Sequence, residues 1–153
     1  MLVGIISDTH NWLSPEVKKI LEGCDAIFHA GDFCEEAMLD RIGAIAPIWA
    51  VLGNNDWELT ERLKPRLDFT LEGVRICMAH RRGDLPRDLR PYQLAVYGHT
   101  HVYDCRETES TVLLNPGSAG EERYGGVATM AVAELEAGKI RIHRIDFPKH
   151  GIR

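Results

Sequence analysis

The chain has 153 residues, 44% of them hydrophobic, enough for a real core in one domain, expected to span 1–153. A formal net charge of -5 excludes a general nucleic-acid or membrane-surface binder, since neither a phosphate backbone nor an anionic bilayer attracts the molecule overall. The opening apolar run is too short for a membrane span and lacks a basic flank, and Cys24, Cys34, Cys77 and Cys105 form no C-x-x-C pair. A cytoplasmic protein with free, mostly buried thiols is therefore expected.

Leu2 to Ile6 is β-branched and unalternated, which predicts a strand buried on both faces, and it runs straight into Asp8 and His10. Ser14-Pro15-Glu16 supplies a capping serine and a proline at the first helical position, opening a helix to about Leu21 that Gly23 ends. Asp25 to Ala30 is a second buried strand, stopping on Gly31-Asp32. From Glu35 to Ile45, apolar Ala37, Met38, Ile42 and Ile45 predict a surface helix, broken by Pro47. Ile48 to Leu52 is a third strand, ended by Gly53-Asn54-Asn55-Asp56. Three βα units thus bring three polar clusters to the carboxyl edge of one sheet, where open α/β sheets bind ligands.

The second half changes character. Leu67–Leu71 and Val74–Ala79 flank Glu72-Gly73 as a hairpin ending at His80, and the segment from Arg81 to Leu94 predicts loop with one helical turn at most. Leu94 to Tyr97 is a short strand capped by Gly98-His99-Thr100-His101. Strands are also expected at 102–106, 112–115, 127–135 and 139–146, with Glu136-Ala137-Gly138 turning the last pair. The 127–135 strand and exposed strand edges would give a homo-oligomer somewhere to form.

Asp8, His10, Asp32, Asn54, His80, His99 and His101 all follow closely on the ends of predicted strands. Oxygen donors mixed with imidazoles, without thiolates, suit Mn, Fe, Zn or Mg. Seven such side chains are too many for one tetrahedral ion and a water; they fit two adjacent ions sharing a carboxylate.

Asp8-x-His10, Gly31-Asp32, Gly53-Asn54-x-Asp56, His80 and Gly98-His99-x-His101, with the later Asn115-Pro116-Gly117-Ser118, resemble the calcineurin-like metallophosphoesterases. Within them the likeness is to the small phosphodiesterase-like branch that includes the phosphoesterase-fold subunit of retromer. The resemblance implies a four-layer α/β/β/α sandwich of two mixed β-sheets flanked by helices. It implies two divalent ions, Mn2+ foremost with Fe, Zn, Ni or Mg as alternatives. Asp8, His10, Asp32 and His101 would hold one ion, and Asp32, Asn54, His80 and His99 the other. The implied reaction is in-line attack on phosphorus by a hydroxide bridging the ions, with a small phosphodiester or phosphate ester as substrate. The alternative is a scaffold that keeps the fold and binds proteins instead of turning over.

Each ligating histidine needs its second ring nitrogen engaged, and Asp56 is a candidate for that support. Many metallophosphoesterases carry histidine after the Gly-Asn pair, where it can protonate the leaving oxygen. Asn55 stands there instead and cannot give up a proton, so activated or diester substrates are expected over alkyl monoesters. Arg81 and Arg82 could clamp a phosphate, with one of the two facing the site. Trp12, Trp57 and Tyr124 are rim or core residues that could wall a pocket. His29, His143 and His150 are expected to be structural or solvent-exposed, and Asn115-Pro116-Gly117 a plain turn.

Overall fold

The computed structural model describes residues 1–120 and 127–148, so Tyr124 and His150 lie outside the described residues. The chain runs β1 (Leu2–Ile6), α1 (Pro15–Glu22), β2 (Ala26–His29), α2 (Glu36–Gly43), β3 (Ile48–Ala50), β4 (Arg66–Leu71), β5 (Val74–Ala79), β6 (Leu94–Val96), β7 (Asp104–Glu107), β8 (Val112–Asn115), β9 (Ala128–Glu136) and β10 (Lys139–Phe147). Single 3-10 turns stand at Trp57–Leu59 and Arg82–Asp84. No helix of the described residues is long and apolar enough to cross a membrane.

Two five-stranded mixed sheets result, in the orders β10-β9-β1-β2-β3 and β4-β5-β6-β8-β7. In the first, β1, β2 and β3 are parallel and β9 joins β1 antiparallel. In the second, β5, β6 and β8 are parallel, with antiparallel β4 and β7 on the edges. The inner faces meet in one core, where Val3, Ile5 and Phe28 pack with Ile76, Met78, Leu94, Val96 and Leu114. Strand alternation turns Ile6 and Ile27 to the opposite face, against Val17 and Leu21 of α1 and Met38, Leu39 and Ile42 of α2.

The Ser14 cap forms as its residue type predicts, its hydroxyl accepting from Val17 N at 3.2 Å. The buried stripe of α2 includes Leu39 and leaves Ala37 exposed, one position off the expected face. The outer face of the second sheet, formed by Cys77, Ala79, Ala95, Tyr97 and Leu113, is covered by Leu85, Leu89 and Tyr92. That fourth layer is a loop with one 3-10 turn, as the residues between Arg81 and Leu94 predict. The 127–135 strand offers no docking edge, because β9 is paired on both sides, to β1 and β10.

At the amino ends of the parallel strands the two hairpin turns clasp each other. Glu72-Gly73 and Ala137-Gly138 all have positive φ, the type I′ pattern, and Gly138 N donates to Glu72 O at 2.9 Å. A Cβ on Gly73 would come within 2.9 Å of Gly138 N, so this contact between the sheets needs glycine.

Candidate metal centre

At the opposite pole the carboxyl ends of both sheets converge. The loop after β1 runs beside the loop after β2, with Asp8 N bonded to Gly31 O at 2.9 Å, His10 N to Asp32 O at 3.1 Å and Asn11 N to Phe33 O at 3.1 Å. Of nine non-glycine residues with positive φ among the described residues, seven stand here: Asp8, His10, Asn11, Asp32, Cys34, His99 and His101. Left-handed backbone costs such residues about 1–3 kcal/mol each and persists where the surroundings over-determine it, commonly at functional sites. It also explains how His99 and His101 both serve one pole although an extended strand would send them to opposite faces.

Asp8 is fully buried. Its Oδ2 accepts from Ser7 Oγ at 2.6 Å and from His99 N at 3.0 Å. Its Oδ1 has no hydrogen-bond donor and faces three imidazoles, with Nε2 of His101 at 3.4 Å, of His10 at 3.6 Å and of His80 at 3.8 Å. The second carboxylate, Asp32 Oδ2, is 3.4 Å from His80 Nε2 and 3.7 Å from His10 Nε2. Nδ1 of His80 is 2.7 Å from Ala30 O, which fixes the proton there and leaves Nε2 aimed at both carboxylates. Asp8 Oδ1 and His80 Nε2 are buried without a hydrogen-bond partner. Oriented but unsatisfied atoms of this kind fit a cation, and Asp8/His10/His101 and Asp8/Asp32/His80 each bring three ligand atoms within 4.8 Å of one another.

The local electrostatics agree. Burial alone would raise the Asp8 carboxyl, but the neighbouring imidazoles of His10, His101 and His80 and the Ser7 hydroxyl hold it far below the usual carboxylate range. Asp32 is likewise opposed by burial and lowered by His80 and the Asn55 backbone N–H. For His80, burial disfavours the charged form, and the carboxylates of Asp32 and Asp8 outweigh it and push the imidazole up. The pole is thus built to keep two carboxylates ionised.

Not every expected ligand joins this cluster. Asn54 and His99 are exposed, and His99 Nδ1 lies 3.2 Å from Asn54 Oδ1. The two compact triads share Asp8, and Asp32 Oδ2 also lies within 3.7 Å of a histidine nitrogen from each, His10 and His80. Asn55 is turned toward Asp32, donating from its backbone N to Oδ1 at 2.9 Å and from Nδ2 to Oδ2 at 3.0 Å. Asp56 orients no histidine, which corrects the expectation drawn from its sequence position. Its carboxylate, 1% exposed, instead accepts from the backbone N–H groups of Asp32, Gly53 and Cys34 at 2.8, 2.7 and 2.8 Å. An acid so placed ties the loop after β2 to the loop after β3.

Arg81 and Arg82 are both exposed and diverge. Arg81 acts electrostatically on His99, whereas Arg82 lines a groove with Arg87, Leu89 and Arg106 on the outer side of the second sheet. Trp12 and Trp57 are 49% and 79% exposed, so neither is a core residue. His29 is structural: Nδ1 accepts from Gly31 N and Nε2 bonds Thr9 Oγ1, both at 3.0 Å, and burial pushes its pKa down to about 3. His143 pairs with Glu134 on the exposed surface at 2.6 Å.

Sequence reasoning passed over three supports. Ser7 bonds Asp8, Ser118 Oγ donates to Asp8 O at 2.8 Å, and Cys34 Sγ lies 3.4 Å from His10 Nδ1. Each is adjacent to a motif or within it, which is the signal that marks them. The Asn115-Pro116-Gly117 turn is structural as expected, and Asn115 Nδ2 also braces the histidine loop through Gly98 O at 3.2 Å and Thr100 Oγ1 at 2.9 Å.

Comparison with known proteins gives this architecture its context. The family model described as calcineurin-like phosphoesterase superfamily domain matches residues 1–138. A probable metallophosphoesterase of Methanothermobacter thermautotrophicus is 36% identical over 148 residues, covering 86% of this chain and 85% of its own. A phosphodiesterase of Methanocaldococcus jannaschii is 26% identical over 163 residues, covering 92% and 97%. Among solved structures, wild-type Vps29 of Entamoeba histolytica, complexed with Zn2+, matches with a TM-score of 0.75 at 20% identity, over 97% of this chain and 100% of that one. Fold, site and relatives define a metal-dependent phosphoric ester hydrolase. The chain belongs to the calcineurin-like phosphoesterase superfamily.

Proposed function

We propose that the chain is a single-domain phosphodiesterase that works with two divalent ions, Mn2+ foremost. The buried Asp8 Oδ1, without a donor and ringed by three imidazole nitrogens, is the observation that carries this reading. Asp8, His10, Asp32 and His101 would hold one ion, and Asp32, Asn54, His80 and His99 the other, with Asp8 close to both. Such ions, when bound, lower the pKa of a water and neutralise charge on a phosphoryl group. Two carboxylates supply the formal charge to keep them, and the backbone bonds of Asp56 fix the spacing of the loops that bear Asp32 and Asn54. Of the two arginines, Arg81, whose charge is felt at His99, would meet a phosphoryl oxygen, whereas Arg82 lines the groove with Arg87, Leu89 and Arg106. The phosphodiesterase of Methanocaldococcus jannaschii supports a small phosphodiester as substrate, and four cysteines without a C-x-x-C pair suit a reducing cytoplasm.

The alternative, a non-catalytic protein-binding scaffold, draws on the likeness to Vps29 and on the exposed Asn54–His99 pair. Against it, every candidate ligand is of a metal-capable type, and Asp8, His10 and His101, like Asp8, Asp32 and His80, bring their ligand atoms within 4.8 Å of one another. A chromogenic aryl phosphodiester incubated with Mn2+, Ni2+, Zn2+ or Mg2+ separates the two. Turnover is expected with Mn2+, abolished by chelator and reduced at least about a hundredfold in Asp8→Asn and His80→Ala. A folded protein that turns over no diester with any of the four ions would leave the scaffold reading.

A further inference from the structure

Cys34 lies two residues beyond Asp32, partly buried, with a backbone φ of +75° that glycine adopts freely and cysteine does not. Two bonds impose this conformation. Asp56 Oδ1 accepts from Cys34 N at 2.8 Å, and Asn11 N, from the histidine-bearing loop, donates to Phe33 O at 3.1 Å. The result puts Cys34 Sγ 3.4 Å from Nδ1 of His10. The other ring nitrogen of His10 faces the cluster, with its Nε2 3.3 Å from Nε2 of His101, 3.6 Å from Asp8 Oδ1 and 3.7 Å from Asp32 Oδ2.

For Nε2 to offer a lone pair to a cation, the ring proton must reside on Nδ1, and a buried N–H requires an acceptor. His80 meets this requirement through Ala30 O at 2.7 Å. The corresponding nitrogen of His10 is met by sulfur. We propose that Cys34 is a positioning residue for His10, its sulfur accepting the Nδ1–H and so holding the tautomer and ring orientation that present Nε2 to a divalent ion. The inference rests on the reading of Asp8, His10 and His101 as one metal shell. It separates the two buried histidines by the kind of acceptor behind them: His80 is held by a backbone carbonyl that no substitution removes, and His10 by a side chain that substitution or alkylation can.

The test uses the full chain and two variants, Cys34→Gly and Cys34→Ser, titrated with Co2+ and Mn2+ by absorption and calorimetry. Long-range 1H–15N spectra of the histidine rings report the tautomers. Glycine suits the left-handed backbone, so Cys34→Gly is expected to melt no lower than the parent in chelator while losing at least about tenfold in affinity for one of two ions, as removal of an outer-shell partner does. Its His10 ring is expected to lose the single Nδ1–H tautomer, and Cys34→Ser to recover most of both. Unchanged affinity and tautomer in Cys34→Gly, in a parent that binds metal, would overturn the positioning role and leave the metal shell standing. A parent that binds neither ion would overturn the shell itself, and the proposal with it. A near-ultraviolet sulfur-to-cobalt band in the parent, absent from both variants, would make Cys34 a ligand and also overturn it.

Discussion

Asn55 shows how far a single side chain can be read ahead of its structure. Its type says that no proton can be given to a leaving oxygen, and that much follows from chemistry alone. Its direction does not follow: the Nδ2 group is spent on Asp32 Oδ2 at 3.0 Å. Single-turnover rates on a series of esters are therefore expected to fall steeply as the leaving group becomes more basic. In Asn55→His that slope should flatten, with alkyl monoesters gaining about tenfold or more relative to aryl diesters. Equal slopes in the two proteins would assign leaving-group protonation elsewhere. Asp56 teaches the same lesson from the other side. Its importance is visible in the motif, but whether a carboxylate serves a histidine or three backbone amides depends on loop geometry that spacing does not encode. The bland readings of His29 and His143 needed no such geometry, because each lies within a predicted strand rather than past its end.

Among the elements, the strands and the capped helix α1 were legible because local chemistry decides them: β-branched runs, a serine cap, proline at the first position and glycine at the turns. The hairpin turns were placed correctly, although residues 72 and 137 are Glu and Ala rather than the Asn or Asp that left-handed turns favour. What local chemistry does not carry is the contact between distant loops. Gly98 is a case, since a Cβ there would collide with Ser7 Oγ and Asp8 Oδ2, across the junction of the two sheets. Gly98→Ala should thus separate the histidine loop from Asp8. The expected result is a loss of about 1–3 kcal/mol in denaturant unfolding, by overpacking, together with weaker metal binding. A variant with parental stability and affinity would show that this junction is slack. The fourth layer was foreseeable as loop because Pro86 and Pro91 interrupt the segment between residues 81 and 94. The apolar side chains that seal it, Leu85, Leu89 and Tyr92, stand at helical spacing all the same, so their period alone would have misled.

For the whole molecule, the site acts as a joint. Asp8, His10 and Asp32 come from the first sheet, and His80, His99 and His101 from the second, while the Gly73–Gly138 contact closes the far pole. An ion held by both sheets binds the folded chain and not the unfolded one, so at a hundredfold excess over its dissociation constant it adds about 2.7 kcal/mol of stability. For a chain of this size that corresponds to roughly 5–10 °C in Tm, lost on adding chelator and absent in Asp8→Asn, as differential scanning calorimetry would show. The pairing of β9 with β1 has a further consequence, for the order in which the protein is made. Strand β1 must wait for β9, with Leu2 opposite Glu134 and Val3 opposite Ala133. At about 5–20 residues per second that interval is on the order of ten seconds on the ribosome. All seven candidate ligands have by then been synthesised, and one edge of β1 stays open to wrong pairing until β9 arrives to cover it.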